Sequence, residues 1–162
     1  MDESLLRPIT PADHAAVLSW NEANVELLSP LDEARLAELL AWSDLGAVIG
    51  HQGVDVGFVL TFAAGSAYDS TNYRWFADRN PAFLYLDRVV VDPAVRRSGV
   101  ATRVYDAIEA RARSRGPVMC LEVNLDPPNE PSLAFHHRRG YLEVGQEEAQ
   151  GHLVSLLEKQ LG

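Results

Sequence analysis

The chain contains one cysteine and one lysine among its 162 residues, Cys120 and Lys159. A single cysteine allows no internal disulfide, which fits a reducing compartment, and we expect a cytoplasmic protein. The lone lysine and the missing G-x-x-x-x-G-K-[ST] pattern argue against a P-loop nucleotide site. No apolar run is long enough to span a bilayer, and no secretion signal is recognisable, so no membrane partner is expected.

The chain also lacks an excess of positive charge. Its formal net charge of −9 argues against nonspecific binding to nucleic acid. Its five histidines show no metal-ligand spacing apart from the adjacent pair His136-His137, so no metal site is predicted. Residues 88–115 nevertheless carry seven arginines against three acids, while residues 1–50 carry nine acids against two arginines. A basic segment in an acidic chain suggests a local anion site.

Helix and strand patterns alternate along the chain, and hydrophobic residues make up 47% of it, enough for a core. We therefore predict one α+β domain over residues 1–162. The predicted strands cover residues 5–9, 46–50, 54–62, 82–91 and 118–125, and the predicted helices cover residues 10–24, 32–43, 98–115 and 129–139. Residues 141–146 and 152–158 predict a hairpin, although the second segment could be helical. Residues 64–80 are polar, aromatic and turn-rich, which favours a long functional loop.

The most informative stretch joins the strand at 82–91 to the helix that follows it. The sequence reads Val89-Val90-Val91-Asp92-Pro93-Ala94-Val95-Arg96-Arg97-Ser98-Gly99-Val100-Ala101-Thr102. The first four N–H groups of a helix have no intrahelical partner and attract an acid or an external anion. The first turn here contains no acid, Gly99 and Ala101 leave room, Arg96 and Arg97 add charge, and Ser98 could cap the helix or donate to a phosphate. An anion site is therefore favoured over an ordinary strand–turn–helix connection.

This stretch resembles the acyl-CoA motif V-x-P-x-x-[RQ]-x-x-G-x-[GA] of the GNAT N-acetyltransferase superfamily, with every specified position filled by Val91, Pro93, Arg96, Gly99 and Ala101. The resemblance implies a three-layer fold with a mixed, mostly antiparallel sheet of six to seven strands and about four helices. It implies acetyl-CoA as cosubstrate, with the amides of residues 97–102 on the pyrophosphate. It also implies that the backbone around Val89, Val90 and Val91 pairs with the pantetheine arm.

A second segment, residues 129–141, is similar to the family pattern N-x-x-[AS]-x-x-[FL]-[Y]-x-x-x-G-[FY]. The residues that match it are Asn129, Ser132, Phe135, Gly140 and Tyr141. The resemblance implies that Asn129, Phe135 and His136 also belong to the cofactor site. His136 stands where many members have a tyrosine credited with protonating the CoA thiolate. Histidine can donate a proton near neutral pH, so His136 is the candidate general acid. The alternative is a histidine that is stabilised by the helix C-terminus or packed against the cofactor.

The resemblance implies an N-acetyltransferase that joins acetyl-CoA and an amine directly in a ternary complex. Asp87 and Glu22 are candidate general bases. The alternative for Asp87 is an ion pair with Arg88 or a position on a solvated strand face. The alternative for Glu22 is a plain exposed helix acid. A non-catalytic acyl-CoA-binding regulatory domain of the same fold remains open, and a homodimer is a family-level expectation.

Two segments of the sequence supply candidates for the acceptor site. Asn21 and Glu22 at the end of the first helix, and Asn72, Tyr73 and Trp75 in the long loop, are candidates for the acceptor site. The alternative for the loop residues is a self-packed surface loop or a dimer contact. Trp20 and Trp42 are expected in the core, and Cys120 is expected to be buried and inert.

Overall fold

The computed structural model describes residues 5–149 and 151–162. These segments form seven strands, β1 Leu6–Pro8, β2 Leu45–His51, β3 Val54–Ala63, β4 Leu84–Val91, β5 Val118–Asp126, β6 Leu142–Ala149 and β7 His152–Gln160. Five α-helices accompany them, α1 His14–Glu22, α2 Glu33–Trp42, α3 Thr71–Arg79, α4 Val100–Arg113 and α5 Glu130–Arg138. Within the described residues, no helix is long and apolar enough to cross a membrane.

The strands form one sheet in the order β1-β2-β3-β4-β5-β7-β6. Antiparallel pairing joins β1 to β2, β2 to β3, β5 to β7 and β6 to β7. Strands β4 and β5 pair in parallel, through Leu84↔Met119 and Tyr85↔Cys120. The predicted fold class, a mixed and mostly antiparallel sheet of six to seven strands, is confirmed.

The prediction of a long loop over residues 64–80 is wrong for its second half, which forms α3. The Ser70 side chain caps this helix by accepting the N–H of Tyr73 at 3.2 Å. Asn72, Tyr73 and Phe76 are the buried residues of the helix, and none of them is aliphatic. The sequence pattern missed α3 because its buried face consists of aromatic and amide side chains, which do not produce an aliphatic 3.6-residue period.

The chain divides into two compact units, and β4 contributes to both. The first comprises the described residues up to Phe62 together with Leu86–Ala110, and the second comprises Ala63–Tyr85 and Arg111–Gly162. One domain over residues 1–162 stays a prediction.

The first unit buries Val17, Leu36, Leu39 and Phe58 among the residues of its core. Trp20, expected in the core, is half-buried and stacks on Phe58 with ring centroids 6.4 Å apart. Trp42 is likewise half-buried. Helix α4 presents an apolar stripe at helical spacing to the core, since Val100, Val104 and Ile108 are at most 1% exposed.

A close backbone approach joins β3 to β4 in the same unit. A Cβ placed on Gly57 would lie 1.8 Å from the carbonyl oxygen of Val90. Nearby, the N–H of Asp92 donates to the carbonyl oxygen of Val56 at 2.7 Å. Only glycine fits at position 57, so this residue sets how closely the end of β4 packs on β3.

In the second unit, α5 begins where the sequence predicts, with the Asn129 side chain accepting the N–H of Ser132. The C-terminal hairpin of β6 and β7 is confirmed, and the helical alternative for its second segment is wrong. Cys120 is fully buried in β5. Burial, and then the nearby Glu158 carboxylate, raise the pKa of the Cys120 thiol far above its usual range, so the thiol stays protonated and unreactive at neutral pH.

Candidate functional site

The connection from β4 to α4 is shaped by local hydrogen bonds. Asp92 accepts the N–H of Ala94 at 2.9 Å and starts a short 3-10 turn over Pro93–Val95. The Ser98 hydroxyl then donates to the carbonyl oxygen of Val95. Ser98 was expected to cap α4 or donate to a phosphate, but its proton is directed back into the turn.

Two residues in this connection have left-handed backbone conformations. Arg97 has φ 66°, which is uncommon for a residue with a side chain, and Gly99 has φ 83°. Left-handed residues in such a turn direct successive N–H groups toward one concave side, where an anion can bind. A Cβ on Gly99 would have no atom within 4 Å, so open space adjoins the bend.

The N-terminal amides of α4 are available to a ligand. The first helical hydrogen bond runs from the N–H of Arg103 to the carbonyl oxygen of Gly99 at 3.1 Å. In the part of the chain that the structure describes, the N–H groups of residues 99–102 donate to no backbone or side-chain oxygen. The first turn of α4 contains no acidic residue that could occupy the position of an anion.

Positive charge surrounds this helix start. Arg96, Arg97 and Arg103 are exposed, and among the described residues none of the three is paired with a carboxylate. Unpaired guanidinium groups beside free amides and a helix N-terminus make a site suited to phosphate groups. Among the described residues of the first unit, β4 is the last strand of the sheet, so one edge of residues 86–91 has no partner strand from that unit.

A buried ion pair adjoins this segment of β4. Arg88 is 5% exposed, and its Nε donates to Asp87 Oδ2 at 3.0 Å. Arg88 Nη1 donates to Asn21 Oδ1 at 2.9 Å and to the carbonyl oxygen of Ser29 at 2.8 Å. Asn21 Nδ2 also donates to Ser29 O, at 2.9 Å. Arg88 therefore connects β4 to the segment between α1 and α2.

This network includes two of the predicted site residues, Asp87 and Asn21. Asp87 forms the ion pair named as its alternative role, and Asn21, 1% exposed, uses both side-chain polar atoms inside the protein. The predicted contact between Asn21 and an acceptor therefore competes with an internal role. Glu22, the last residue of α1, is exposed.

In the second unit, His136 is 5% exposed and packs edge-on against Tyr141 and Phe135. Its Nδ1 lies 2.7 Å from the carbonyl oxygen of Ser132. Because a carbonyl oxygen only accepts, Nδ1 carries a proton, and in a neutral ring Nε2 is then the unprotonated nitrogen. Phe135 is half-buried, and Asn129 serves as the N-cap of α5.

The predicted acceptor residues of residues 64–80 lie on α3. The Tyr73 hydroxyl donates to Ala63 O at 2.6 Å and accepts the N–H of Ser66 at 3.2 Å, and burial raises the pKa of the Tyr73 hydroxyl. Trp75 packs closely on Gly145, where an added Cβ would lie 2.6 Å from Trp75 Cζ2. Asn72 is 6% exposed, and its Oδ1 has no hydrogen-bond partner in the described segments.

The predicted residues thus fall into two groups. The first unit holds Asn21, Glu22, Asp87, Val89, Val90, Val91, Arg96, Arg97, Ser98, Gly99, Val100, Ala101 and Thr102, and the second holds Asn72, Tyr73, Trp75, Asn129, Phe135 and His136. Sequence reasoning missed the structural role of Arg88. A charged residue between apolar strand residues was the available signal. Over residues 5–149 and 151–162, no cluster of three or more His, Cys, Asp or Glu side chains could hold a metal ion.

Comparison with known proteins identifies this arrangement. Residues 12–141 match the model of the Acetyltransferase (GNAT) family. Ard1 from Thermoplasma volcanium superposes with a TM-score of 0.74 at 17% identity, covering 97% of this chain and 97% of that one. Naa20 from Chaetomium thermophilum, solved with a bisubstrate analogue, gives a TM-score of 0.75 at 18% identity, covering 98% of this chain and 87% of that one.

A third structure is yncA from Salmonella typhimurium, solved with its cofactor acetyl-CoA. It gives a TM-score of 0.68 at 20% identity, covering 99% of this chain and 95% of that one. At these identities the likeness establishes the fold. No protein with a curated description matches this sequence.

Proposed function

Because the chain belongs to the acetyltransferase (GNAT) family, whose members are acyl-CoA-dependent transferases, we propose that it moves an acetyl group from acetyl-CoA to a primary amine. The transfer is direct, within a ternary complex of enzyme, acetyl-CoA and amine. One observation carries this proposal. Within the described residues, the N–H groups of residues 99–102 donate to no protein oxygen, and the first turn of α4 contains no acid, at the position where the sequence carries the acyl-CoA motif.

The pyrophosphate of CoA suits this helix start. Its negative charge is stabilised by the amides of residues 99–102, by the α4 dipole and by the exposed guanidinium groups of Arg96 and Arg97. The open space at Gly99 lets phosphate oxygens approach the backbone. We therefore expect the ligand of this site to carry a diphosphate, as does the acetyl-CoA bound by yncA.

The edge of β4 supplies the next part of the proposed site. The pantetheine arm carries amides, which pair with the backbone of Val89, Val90 and Val91 in the manner of an added strand. A backbone N–H near Val89 or Val90 then polarises the thioester carbonyl and stabilises the oxyanion that forms during attack. The amine nitrogen forms a bond to the carbonyl carbon, the carbon–sulfur bond breaks, and the sulfur leaves as a thiolate.

Two protons move in this reaction. A base takes one from the attacking amine, and the candidates are Asp87, which is already hydrogen-bonded to Arg88, and Glu22, which is exposed. An acid returns one to the thiolate, and the candidate is His136. Since His136 Nδ1 donates to Ser132, an acid role requires the doubly protonated ring, with its second proton on Nε2.

The substitution His136→Ala tests this role. We expect kcat to fall about 100-fold, which is the usual contribution of general acid catalysis, while the Kd for acetyl-CoA changes less than threefold. Steady-state kinetics and calorimetric titration give the two values. His137→Ala, which removes the exposed neighbouring imidazole, is the matched control. An unchanged kcat in His136→Ala removes this residue from the acid role.

The function itself is tested by an acceptor screen. The purified chain is supplied with acetyl-CoA and a panel of amines, amino acids and peptides, and thiol release is recorded. We expect release above the rate of acetyl-CoA hydrolysis with at least one amine. Cys120 will not contribute to the signal because it is buried and its thiol stays protonated. Tight acetyl-CoA binding without turnover on any amine would instead indicate a non-catalytic acyl-CoA-binding domain. The cytoplasmic location and the homodimer stay predictions.

A further inference from the structure

Three buried polar atoms in the second unit lack a hydrogen-bond partner among the described residues. They are Asn72 Oδ1, Asn124 Nδ2 and His152 Nδ1. A buried polar atom without a partner costs free energy, so each such atom in a folded protein requires an explanation. All three lie in one unit, so strand register and helix spacing can locate them relative to one another.

Strand register places two of these residues on one face of the sheet. Asn124 of β5 pairs with Val154 of β7, and Glu122 pairs with Leu156. Since side chains alternate between the faces of a strand, Glu122 and Asn124 share a face with Val154 and Leu156. His152 lies two residues before Val154 and therefore extends the same face toward the β6–β7 turn.

Helix α3 covers this face. Trp75 packs on Gly145, which pairs with Leu156, and Arg79 Nε donates to Glu158 Oε2 at 3.1 Å. The four steps from Trp75 to Arg79 rise about 6 Å along a helix, close to the roughly 6.6 Å between Leu156 and Glu158 on a strand. The helix therefore runs along β7 in the direction of that strand.

The same spacing locates Asn72. It lies three residues before Trp75, about 4.5 Å back along the helix axis, which corresponds to one to two strand residues before Leu156. On a helix, Asn72 shares the stripe of Arg79 and lies between the directions of Trp75 and Phe76. Its side chain is thus directed at the sheet near the Asn124–Val154 pair, in agreement with its 6% exposure.

Glu122 adds negative charge to this face. It is half-buried, and the hydroxyl of the fully buried Tyr85 donates to its Oε1 at 2.5 Å. The hydrogen bond from Tyr85 orients the carboxylate. A carboxylate and the Asn72 oxygen accept N–H hydrogen bonds, whereas Asn124 Nδ2 donates one to an oxygen.

We propose that Asn72, Glu122, Asn124 and His152 bind the acceptor, and that the acceptor is a primary amine with a carbonyl or hydroxyl oxygen close to the nitrogen, as in an amino-acid amide. This assignment rests on the proposed acetyltransferase function, whose substrate class it narrows. The amine nitrogen donates to Glu122 and Asn72, and the neighbouring oxygen accepts from Asn124. An apolar amine of the same shape leaves these polar groups without partners and binds less well.

Two amines of matched size test the substrate class. Glycinamide has the required oxygen, and isobutylamine has methyl groups in place of its amide oxygen and amide nitrogen. We expect kcat/KM, calculated for the unprotonated form of each amine, to be at least tenfold higher for glycinamide than for isobutylamine, since the site's buried polar groups reject the analogue that lacks the oxygen. Equal values for the two amines would overturn the proposal.

Two variants test the residues. Asn72→Ala and Asn124→Val each remove an unpartnered polar group, so the melting temperature should be unchanged or higher. The KM for glycinamide should rise about tenfold, as expected for the loss of a ligand hydrogen bond, with the KM for acetyl-CoA within twofold of wild type. A purely structural role would instead lower the melting temperature and leave the KM unchanged.

A matched control is available in the first unit. His51 Nδ1 is also buried without a partner among the described residues, but it lies at the end of β2. His51→Leu should leave the KM values of both substrates unchanged. The same increase in KM for glycinamide in this variant would show that the effect is not specific to the proposed residues.

A binding experiment separates this proposal from the proposed function. Glycinamide is titrated into the complex of the chain with CoA, and the side-chain amide signals of Asn72 and Asn124 are followed by NMR. Shifts of both signals, absent with isobutylamine, support the site even if no amine is acetylated. If neither signal moves, the groups hold only water and the proposal fails, whatever the activity of the enzyme.

Discussion

Gly99→Glu should abolish measurable binding of acetyl-CoA and raise the Kd at least ~100-fold. The reason is that a fixed negative charge would face the diphosphate in a site formed by backbone amides and a helix dipole. Residue 99 has open space beside it, so the new carboxylate can be accommodated. It would lie at the start of α4, next to the free amides of residues 99–102 and close to Arg97. In the variant, the protein's own acid thus competes with the ligand. Isothermal titration calorimetry measures the Kd directly.

The control must separate charge from backbone strain. Gly99 has φ 83°, and any residue with a Cβ costs about 1 kcal/mol there. Gly65 has φ 86° and also has no atom within 4 Å of an added Cβ. Gly65→Glu therefore introduces the same strain and the same charge at a position outside the predicted CoA-binding residues, and it should retain wild-type affinity. If Gly99→Glu and Gly65→Glu bind acetyl-CoA equally well, the assignment of the anion site is incorrect.

Arg88→Met should lower the free energy of unfolding by about 3–5 kcal/mol, the usual cost of removing one partner of a buried ion pair. The substitution leaves the Asp87 carboxylate, 7% exposed, without its guanidinium partner. It also removes the two hydrogen bonds from Arg88 to Asn21 Oδ1 and to Ser29 O. The methionine fills much of the space, so the loss reflects polar groups without partners rather than a large cavity. Urea unfolding at equilibrium measures the change.

Two further variants show how the loss of stability in Arg88→Met should be interpreted. Arg7→Met removes an arginine whose side chain is 40% exposed and that also contacts two carboxylates, Asp13 and Asp55, and it should cost less than Arg88→Met because water screens this ion pair. Adding Asp87→Asn to Arg88→Met removes the charge left behind and should restore part of the lost stability. A loss in Arg88→Met no larger than that in Arg7→Met would show that the buried ion pair does not stabilise the fold.

The two variants test different properties of neighbouring segments. Gly99→Glu changes a ligand contact and should leave stability close to that of Gly65→Glu. Arg88→Met changes the connection between β4 and the segment after α1, and it should lower stability more than it alters acetyl-CoA affinity. If both variants lost affinity only because the protein unfolds, their melting temperatures would fall in parallel.

Local features of the sequence determined much of this protein. Three features are each set by residues within a few positions of one another. They are the acid-free start of α4, the Asn129 cap of α5 and the stripe of Val100, Val104 and Ile108. Each depends on short-range hydrogen bonding or on one helix period, so the sequence alone predicts it. The residues of the acyl-CoA motif are likewise contiguous, and they identified the family before any tertiary contact was known.

Only the tertiary structure decided the remainder, because those features depend on groups far apart in the chain. Arg88 links β4 to the segment after α1 only because it donates a hydrogen bond to Asn21, which lies 67 positions away in the sequence. Likewise, α3 was mistaken for loop because its aromatic residues gain their stability from distant partners such as Tyr85. The unpartnered atoms of Asn72, Asn124 and His152 become visible only after folding. Whether a polar group is satisfied depends on what surrounds it in three dimensions, and no local sequence pattern records that.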